Sequence, residues 1–257
     1  METAAVCLVA LLASGLTLFS GFGLGTILTP VMAVFFPVEA AVALTAVVHF
    51  ANNLFKLALF GRKADLGVVL RFGLPALAAS FFGARLLVWL ATQDALFAYD
   101  LFGAAVRVTP VKLFLGLLIM GFALLELLPV LSKVGVPPRY LPLGGAISGL
   151  FGGLSGHQGA FRSVFLLRAG LSKEAFIATG VVAACLVDAT RLGVYADFFT
   201  WEMLGGNARL LFWATLSAFA GAYAGKRLLP KMTIGVVRLV VGIMLLVLGA
   251  GMAAGVI

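Results

Sequence analysis

Residues 141–168 read LPLGGAISGLFGGLSGHQGAFRSVFLLR, a hydrophobic stretch interrupted by glycines at positions 152, 153, 156 and 159. An earlier stretch, residues 4–36, has the same character and contains Gly21-Phe-Gly-Leu-Gly25. A continuous helix of that earlier length would measure roughly 50 Å, well beyond a hydrocarbon core of about 30 Å. Glycine costs about 1 kcal/mol per residue in a helix interior. We therefore expect each stretch to form two half-helices joined by an extended glycine linker.

The composition indicates a membrane protein. Of the 257 residues, 63% are hydrophobic and only 11% are charged, whereas soluble domains are about half apolar and a quarter charged. These figures exclude a cytosolic enzyme, a secreted disulfide scaffold and a nucleic-acid binder, and they make the lipid bilayer the main partner. The net charge of +8 is explained first by Lys and Arg retained in cytoplasmic loops.

Turn and charge clusters divide the chain into about eight apolar segments. Their runs are continuous and of helical length, which excludes a membrane barrel with its period of two. The sequence therefore predicts an all-α polytopic membrane protein. The segments are 4–36, 40–60, 66–91, 109–130, 141–168, 173–196, 205–229 and 232–256.

Weak internal repeats suggest that four segments occur twice. Ser14-Gly15-Leu16 recurs as Ser148-Gly149-Leu150, and Gly83-Ala-Arg-Leu-Leu87 recurs as Gly225-Lys-Arg-Leu-Leu229. The same correspondence sets Asn53 against Asp188 and Lys56 against Arg191. Two copies of one unit are common among secondary transporters. We predict one integral membrane domain with repeats at residues 1–134 and 135–257.

The orientation of the repeats depends on the two broken segments. If each one turns back to the side from which it came, most Lys and Arg fall on one face, as the positive-inside rule requires. That arrangement makes the repeats inverted and puts both termini in the periplasm. The alternative, in which the broken helices cross the membrane, stays open.

Segment two carries a polar stripe on one helical face, at spacings of four, three, one and three residues. Its members are Thr45, His49, Asn52, Asn53 and Lys56. Polar groups in a membrane helix are functional candidates by default, and we assign the first four to substrate binding. The alternative is hydrogen bonding between helices, and Lys56 near the helix end could simply snorkel to the interface.

Segment six places Asp188 three residues before Arg191, a spacing at which the two can pair along a helix. Asp188 is the only acidic residue expected deep in the membrane. We therefore assign Lys56, Asp188 and Arg191 to coupling or gating, with Asp188 as a candidate proton carrier. A purely structural ion pair is the alternative.

The half-helix after the second linker predicts an anion site. Its free N–H groups and partial positive charge attract anions, and Arg supplies a rigid fork for oxyanions. The deep charges are more positive than negative, which favours an anionic substrate. The proposed binding residues around the two linkers are Gly21, Gly23, Gly25, Gly156, His157, Gln158, Gly159, Arg162 and Ser163.

The two histidines, His49 and His157, are candidate metal ligands. Neither has Cys, Asp or Glu at ligand spacing, so a closed site is not expected. Titration of either ring during proton coupling fits the sequence better. We predict no metal and no cofactor.

These motifs resemble the TauE/SafE sulfite exporter family, also called the sulfonate-uptake permease group. The resemblance rests on Gly21-Phe-Gly-Leu-Gly25 followed by Pro30, the Pro37–Thr45 helix start, and Ser148-Gly-Leu-Phe-Gly-Gly153 through Gly159. It implies seven or eight spans and transport of sulfite, sulfonates or related anions across the bacterial inner membrane. The chain departs from the family's usual glycine run at Gly156-His-Gln-Gly159.

The sequence thus predicts a secondary transporter that moves a small anion by alternating access. Coupling of transport to protons stays an open alternative, and the sequence is compatible with a homo-oligomer. A passive anion channel or an accessory membrane subunit is the alternative. An intramembrane enzyme would need a nucleophile, base and orienting group, or a closed metal set, and the sequence shows none at recognisable spacing.

Overall fold

The computed structural model describes residues 2–20, 23–127, 135–198, 205–228 and 234–257. Within these ranges only the backbone is described at 17–20, 60, 126, 226–228 and 234–238. The described chain is helical apart from one hairpin. Its helices are α1 Glu2–Ser20, α2 Leu24–Ala33, α3 Val38–Phe60, α4 Leu66–Ala91, α5 Pro110–Leu127, α6 Leu141–Ser155, α7 Gly159–Leu166, α8 Lys173–Ala196, α9 Ala208–Leu228 and α10 Ile234–Ala253.

Three of the described helices are long and apolar enough to cross a membrane: Val38–Leu59, Leu66–Ala91 and Lys173–Ala196. Each predicted hydrophobic segment contains one or two helices, and segments one and five contain two each. The all-α prediction is confirmed. The ends of the predicted segments four, seven and eight extend into residues outside the described ranges.

Both broken segments break at glycine. Gly23 has an extended backbone immediately before α2. Gly156 has φ of 81° immediately after α6, in the left-handed region that glycine enters without steric cost. Since a helix cannot continue through either conformation, each segment becomes two helices.

Segment five folds back on itself. The N–H of Val136, which precedes α6, donates to the carbonyl of Val164 near the end of α7 at 3.4 Å. The Phe165 ring packs against Gly144 in the first turn of α6. The end of α7 therefore lies beside the beginning of α6, and the turn between them contains Gly156.

Glycines bring α4 and α6 into direct backbone contact. Gly145, Gly149 and Gly153 recur every four residues along α6, so they lie on one face. Each faces the backbone of α4, and Gly149 lies against the Ala76 carbonyl. Small residues allow such close approach of membrane helices. This interface holds the second linker against the first half of the chain.

Helix packing links the two halves throughout. The close pairs are α1 with α9, α4 with α6, α5 with α10, and α3 with α8. Each pair takes one helix from residues before 134 and one from residues after 135. The buried core therefore lies between the halves, and α3 and α8 cross its middle.

The connection between predicted segments three and four contains a two-stranded antiparallel hairpin, which the sequence did not predict. Strands β1 Phe97–Leu101 and β2 Ala104–Val108 pair in register. Phe102 and Gly103 between them both have positive φ, as a type I′ hairpin turn requires. The Tyr99 hydroxyl donates to the Ala254 carbonyl at 2.7 Å, which fixes the hairpin to the C-terminal end of α10.

Candidate functional site

The two glycine breaks meet in the middle of the protein. A methyl group on Gly25 would lie 3.4 Å from the carbonyl oxygen of Gly156. A methyl group on Gly23 would lie 3.5 Å from Nε2 of His49. The predicted linker residues and the polar face of α3 therefore converge on one place. Gly21 lies outside the described residues.

Asp188 on α8 lies at the centre of a buried hydrogen-bond network. Its Oδ2 lies 2.7 Å from His49 Nδ1 and accepts from Asn53 Nδ2 at 2.8 Å. Its Oδ1 accepts from Arg191 Nε at 3.0 Å and lies 2.9 Å from Arg191 Nη2. An ionised carboxylate only accepts hydrogen bonds. His49 Nδ1 therefore carries a hydrogen, whatever the charge of the ring.

The predicted pair between Asp188 and Arg191 is confirmed, and both residues have 0% exposure. The contacts with His49 and Asn53 join α8 to α3, so the network links the two halves. Gln158 in the second linker adds a longer contact, at 3.5 Å from Nε2 to Oδ1 of Asp188. The carboxylate thus contacts donors from the first half of the chain, from the second linker and from its own helix.

Several buried side-chain polar atoms on the helices that form this network, or pack against it, have no hydrogen-bond partner among the described residues. Leaving a buried donor or acceptor unpaired costs about 1 to 3 kcal/mol, and more for a charged group. A group of such atoms indicates a site that a polar ligand completes. They are Thr29 Oγ1, Thr45 Oγ1, Asn52 Nδ2, Arg162 Nη1 and Arg191 Nη1.

Arg191 directs its unpaired Nη1 at the second linker. A methyl group on Gly156 would lie only 2.8 Å from this atom. Glycine at position 156 thus permits both the left-handed turn and the close approach of the guanidinium. The result is a charged donor, held by Asp188 on one side and facing the linker backbone on the other.

His157 is held in the same linker by ring stacking and by Ser155. Its Nδ1 lies 3.1 Å from the Ser155 carbonyl oxygen and 3.0 Å from the Ser155 hydroxyl. Since that hydroxyl donates to Phe151, His157 Nδ1 is the donor. Phe122 of α5 stacks on the ring at 5.3 Å. Nε2 lies buried near the Thr26 carbonyl without a hydrogen bond of good geometry.

The N-terminal ends of α2 and α7 both lie at this centre. No side chain caps either helix, whose N-cap residues are Gly23 and Gln158. Their first N–H groups remain available, and each helix end carries partial positive charge. The Ser148 hydroxyl fixes the linker by donating to the Gln158 carbonyl at 2.9 Å.

Ser163 and Asn52, both predicted as binding residues, form hydrogen bonds with other residues of the protein. The Ser163 hydroxyl donates to the Gly159 carbonyl within α7 at 2.9 Å. The Asn52 side chain accepts from the Ser14 hydroxyl of α1 at 3.2 Å. Ser14 and Ser148 were not predicted as site residues, although both belong to the repeated Ser-Gly-Leu motif that could have identified them.

No hydrogen bond or ion pair of the described residues joins the side chain of Lys56 or Arg162 to the central network. The Nε atom of Arg162 is 3.2 Å from the position of a methyl group on Gly180, eight residues before Asp188 on α8. Lys56 has 6% exposure, so it is enclosed by protein rather than reaching the interface.

Residues 6–252 match the family described as sulfite exporter TauE/SafE. The chain belongs to the TauE/SafE family. No curated protein and no solved structure matches it. TauE/SafE is a transporter family rather than an enzyme family, and membership indicates a membrane transporter of sulfur-containing anions. In the described part of this TauE/SafE chain, no group of three or more His, Cys, Asp or Glu could hold a metal ion.

Proposed function

We propose that this TauE/SafE protein is a secondary transporter that binds one small sulfur-containing oxyanion where the two glycine linkers meet. The observation that carries the proposal is the unpaired Nη1 of Arg191 beside Gly156. Guanidinium is always charged and matches the geometry of oxyanions. The uncapped N-termini of α2 and α7 add backbone donors and positive potential at the same place.

The balance of charge also favours an anion. Asp188 is the buried carboxylate of the described network, and it is already paired with Arg191 and His49. Buried Lys56 and partly buried Arg162 form no ion pair with a described residue. A buried cation without a partner is costly, so a bound anion would stabilise the occupied protein.

Alternating access would come from movement of one inverted repeat against the other across the bacterial inner membrane, with both termini in the periplasm. The folded-back segment five supports this topology. The packing of α1 on α9 and of α4 on α6 supports it too, because the broken helix of each half contacts the third segment of the other. Transporter sites commonly lie at such repeat interfaces, between broken helices.

Proton coupling is part of the proposal and would involve His157 and Asp188. Because His157 Nδ1 donates to Ser155, Nε2 can donate to an anion only when the ring carries a second hydrogen. Anion binding and proton binding at His157 are then linked. The His49–Asp188 contact at 2.7 Å offers a second place to hold a proton.

The test is uptake of radiolabelled sulfite into proteoliposomes by the wild type and by Arg191→Lys. Lysine keeps the positive charge beside Asp188 but removes the planar fork, so we expect at least a tenfold loss of uptake, with thermal unfolding measured to verify that the variant is folded. The matched control is Arg71→Lys on exposed Arg71, which should transport normally. Equal uptake by both variants contradicts the assignment of the Arg191 site.

The same vesicles separate a transporter from a passive channel. A transporter saturates, and internal unlabelled sulfite accelerates entry of the labelled anion by exchange. Flux that rises linearly with concentration and shows no exchange would establish the channel alternative instead.

A further inference from the structure

The β1–β2 hairpin has one apolar face and one charged face. Successive residues of a strand point to opposite faces, and residues directly opposite each other in an antiparallel pair share a face. The register therefore places Asp100 and Arg107 on one face, each opposite an alanine. The other face is apolar apart from one tyrosine hydroxyl, and its members are Phe97, Tyr99, Leu101, Ala104, Val106 and Val108. Amphipathic helices with such a division lie in the plane of a membrane surface.

The hairpin lies where three helices of the membrane domain end. Residues 92–96 connect the end of α4 to β1, and β2 leads directly into α5. The Tyr99 bond to Ala254 joins β1 to the end of α10. Lys112 Nζ in the first turn of α5 donates to the Gly255 carbonyl at 3.0 Å. The ends of α4, α5 and α10 therefore set the depth of the hairpin relative to the bilayer.

The described protein covers the base of the apolar face but not its tip. Val108 at the base is buried, and a methyl group on Gly255 would lie 3.0 Å from its Cγ2. Phe97 is more than half exposed, and Phe102 in the turn is fully exposed at 101%. Phe102 also has φ of 53°, a conformation that bulky residues rarely adopt. A large apolar side chain thus projects from the tip of the hairpin.

The chain reaches the hairpin from a surface that faces lipid. Helix α4 is long and apolar enough to cross a membrane, and Phe82 and Trp89 are exposed along it. Tryptophan is enriched at membrane–water interfaces, and Trp89 lies in the last turn of α4. Leu96 follows, exposed, with its N–H donating to the Val108 carbonyl at 2.8 Å. Exposed apolar side chains thus continue from α4 into the hairpin.

We propose that the β1–β2 hairpin docks on the lipid bilayer, at the boundary between headgroups and acyl chains. Phe102 and the apolar face would point toward the acyl chains, and Asp100 and Arg107 toward water. The Tyr99 hydrogen bond would then hold the C-terminal end of α10 at this depth. The proposal goes beyond the proposed function, because it depends neither on the substrate nor on the transport cycle.

The test is electron paramagnetic resonance of the protein in lipid nanodiscs, with one spin-labelled cysteine at a time. Cys7 and Cys185 are first replaced by alanine. Oxygen concentrates among acyl chains and a nickel chelate stays in water, so the ratio of their collision rates reports depth. Phe102→Cys probes the tip, and its matched control is Ala105→Cys, on the charged face opposite Asp100. Phe82→Cys gives the reference for a lipid-facing position.

We expect the Phe102 label to favour oxygen, as the Phe82 label does, and the Ala105 label to favour the nickel chelate. Phe97→Cys lies outside the turn and decides the question if thermal unfolding shows that Phe102→Cys is misfolded. Labels at these two positions that favour the nickel chelate would place the hairpin in water and overturn the proposal. Labels shielded from both reagents would show that protein, such as a second copy of the chain, covers the face, and would overturn it as well.

Discussion

Substitution of Asp188 by Asn tests whether the central network holds the protein together. The change keeps the shape of the side chain but removes its charge and replaces one acceptor oxygen with a donor. Arg191, with 0% exposure, then loses its counter-ion. His49 Nδ1 and Asn53 Nδ2 both approach Oδ2, so the new NH2 group must face either these donors or Arg191. With the hydrogen of His49 on Nδ1, each orientation of the amide leaves a donor opposed to a donor.

The expected destabilisation follows from the uncompensated buried charge. Removing one member of a buried ion pair costs about 3 to 5 kcal/mol. For a chain of this size each kcal/mol lowers the melting temperature by about 2 to 4 °C. We therefore expect Asp188→Asn to melt roughly 6 to 20 °C below the wild type, as measured by intrinsic-fluorescence unfolding in detergent.

A double variant isolates the charge effect. Adding Arg191→Met to Asp188→Asn removes the stranded cation and substitutes an apolar side chain of similar length. Replacement of both members of a buried pair is often neutral, so the double variant should recover most of the lost melting temperature. If it melts no higher than Asp188→Asn alone, unpaired Arg191 is not the cause and the reasoning is wrong.

Two further predictions concern α6. Gly149→Ala places a methyl group against the Ala76 carbonyl, so overpacking of about 1 to 3 kcal/mol should lower the melting temperature. The control Gly121→Ala has no neighbour within 4 Å and should leave the melting temperature unchanged. Equal melting temperatures of the two variants would contradict the glycine interface. Tyr195→Phe removes the hydrogen bond donated to the Gly153 carbonyl at 2.5 Å and should cost about 1 to 3 kcal/mol. An unchanged melting temperature would show that this carbonyl finds another partner.

Helical elements were predictable from the sequence because their signals are local. Continuous apolar runs specify helices, and the glycines near 23 and 156 specify the breaks between half-helices. The β1–β2 hairpin was missed because its strands are short and lie within a connection rich in charge. The positive φ of Phe102 depends on the hairpin that surrounds it, and phenylalanine gives no turn signal of its own.

Within the candidate site, the pair on one helix was predictable from the sequence, but the contacts between helices were not. Asp188 and Arg191 lie on one helix, so their spacing alone predicts the pair. Contact between His49 and Asp188 depends on the register of α3 against α8, which local spacing does not determine. Phe122 stacks on His157 but is indistinguishable from other apolar residues in the sequence.

The position of Asp188 constrains how the proposed transport cycle can run. Its carboxylate connects α3 of the first half to α8 of the second through His49 and Asn53. Movement of one half against the other must therefore carry these contacts along or break them. Breaking them would leave the buried hydrogen-bonding groups of His49 and Asn53 without their acceptor, at a cost of about 1 to 3 kcal/mol each. Protonation of Asp188 alone would strand the Arg191 cation, and an anion on Arg191 alone would leave Asp188 without its partner, whereas the two events together keep the buried charge balanced. On this proposal the halves separate most easily when anion and proton are both bound, which couples the two movements.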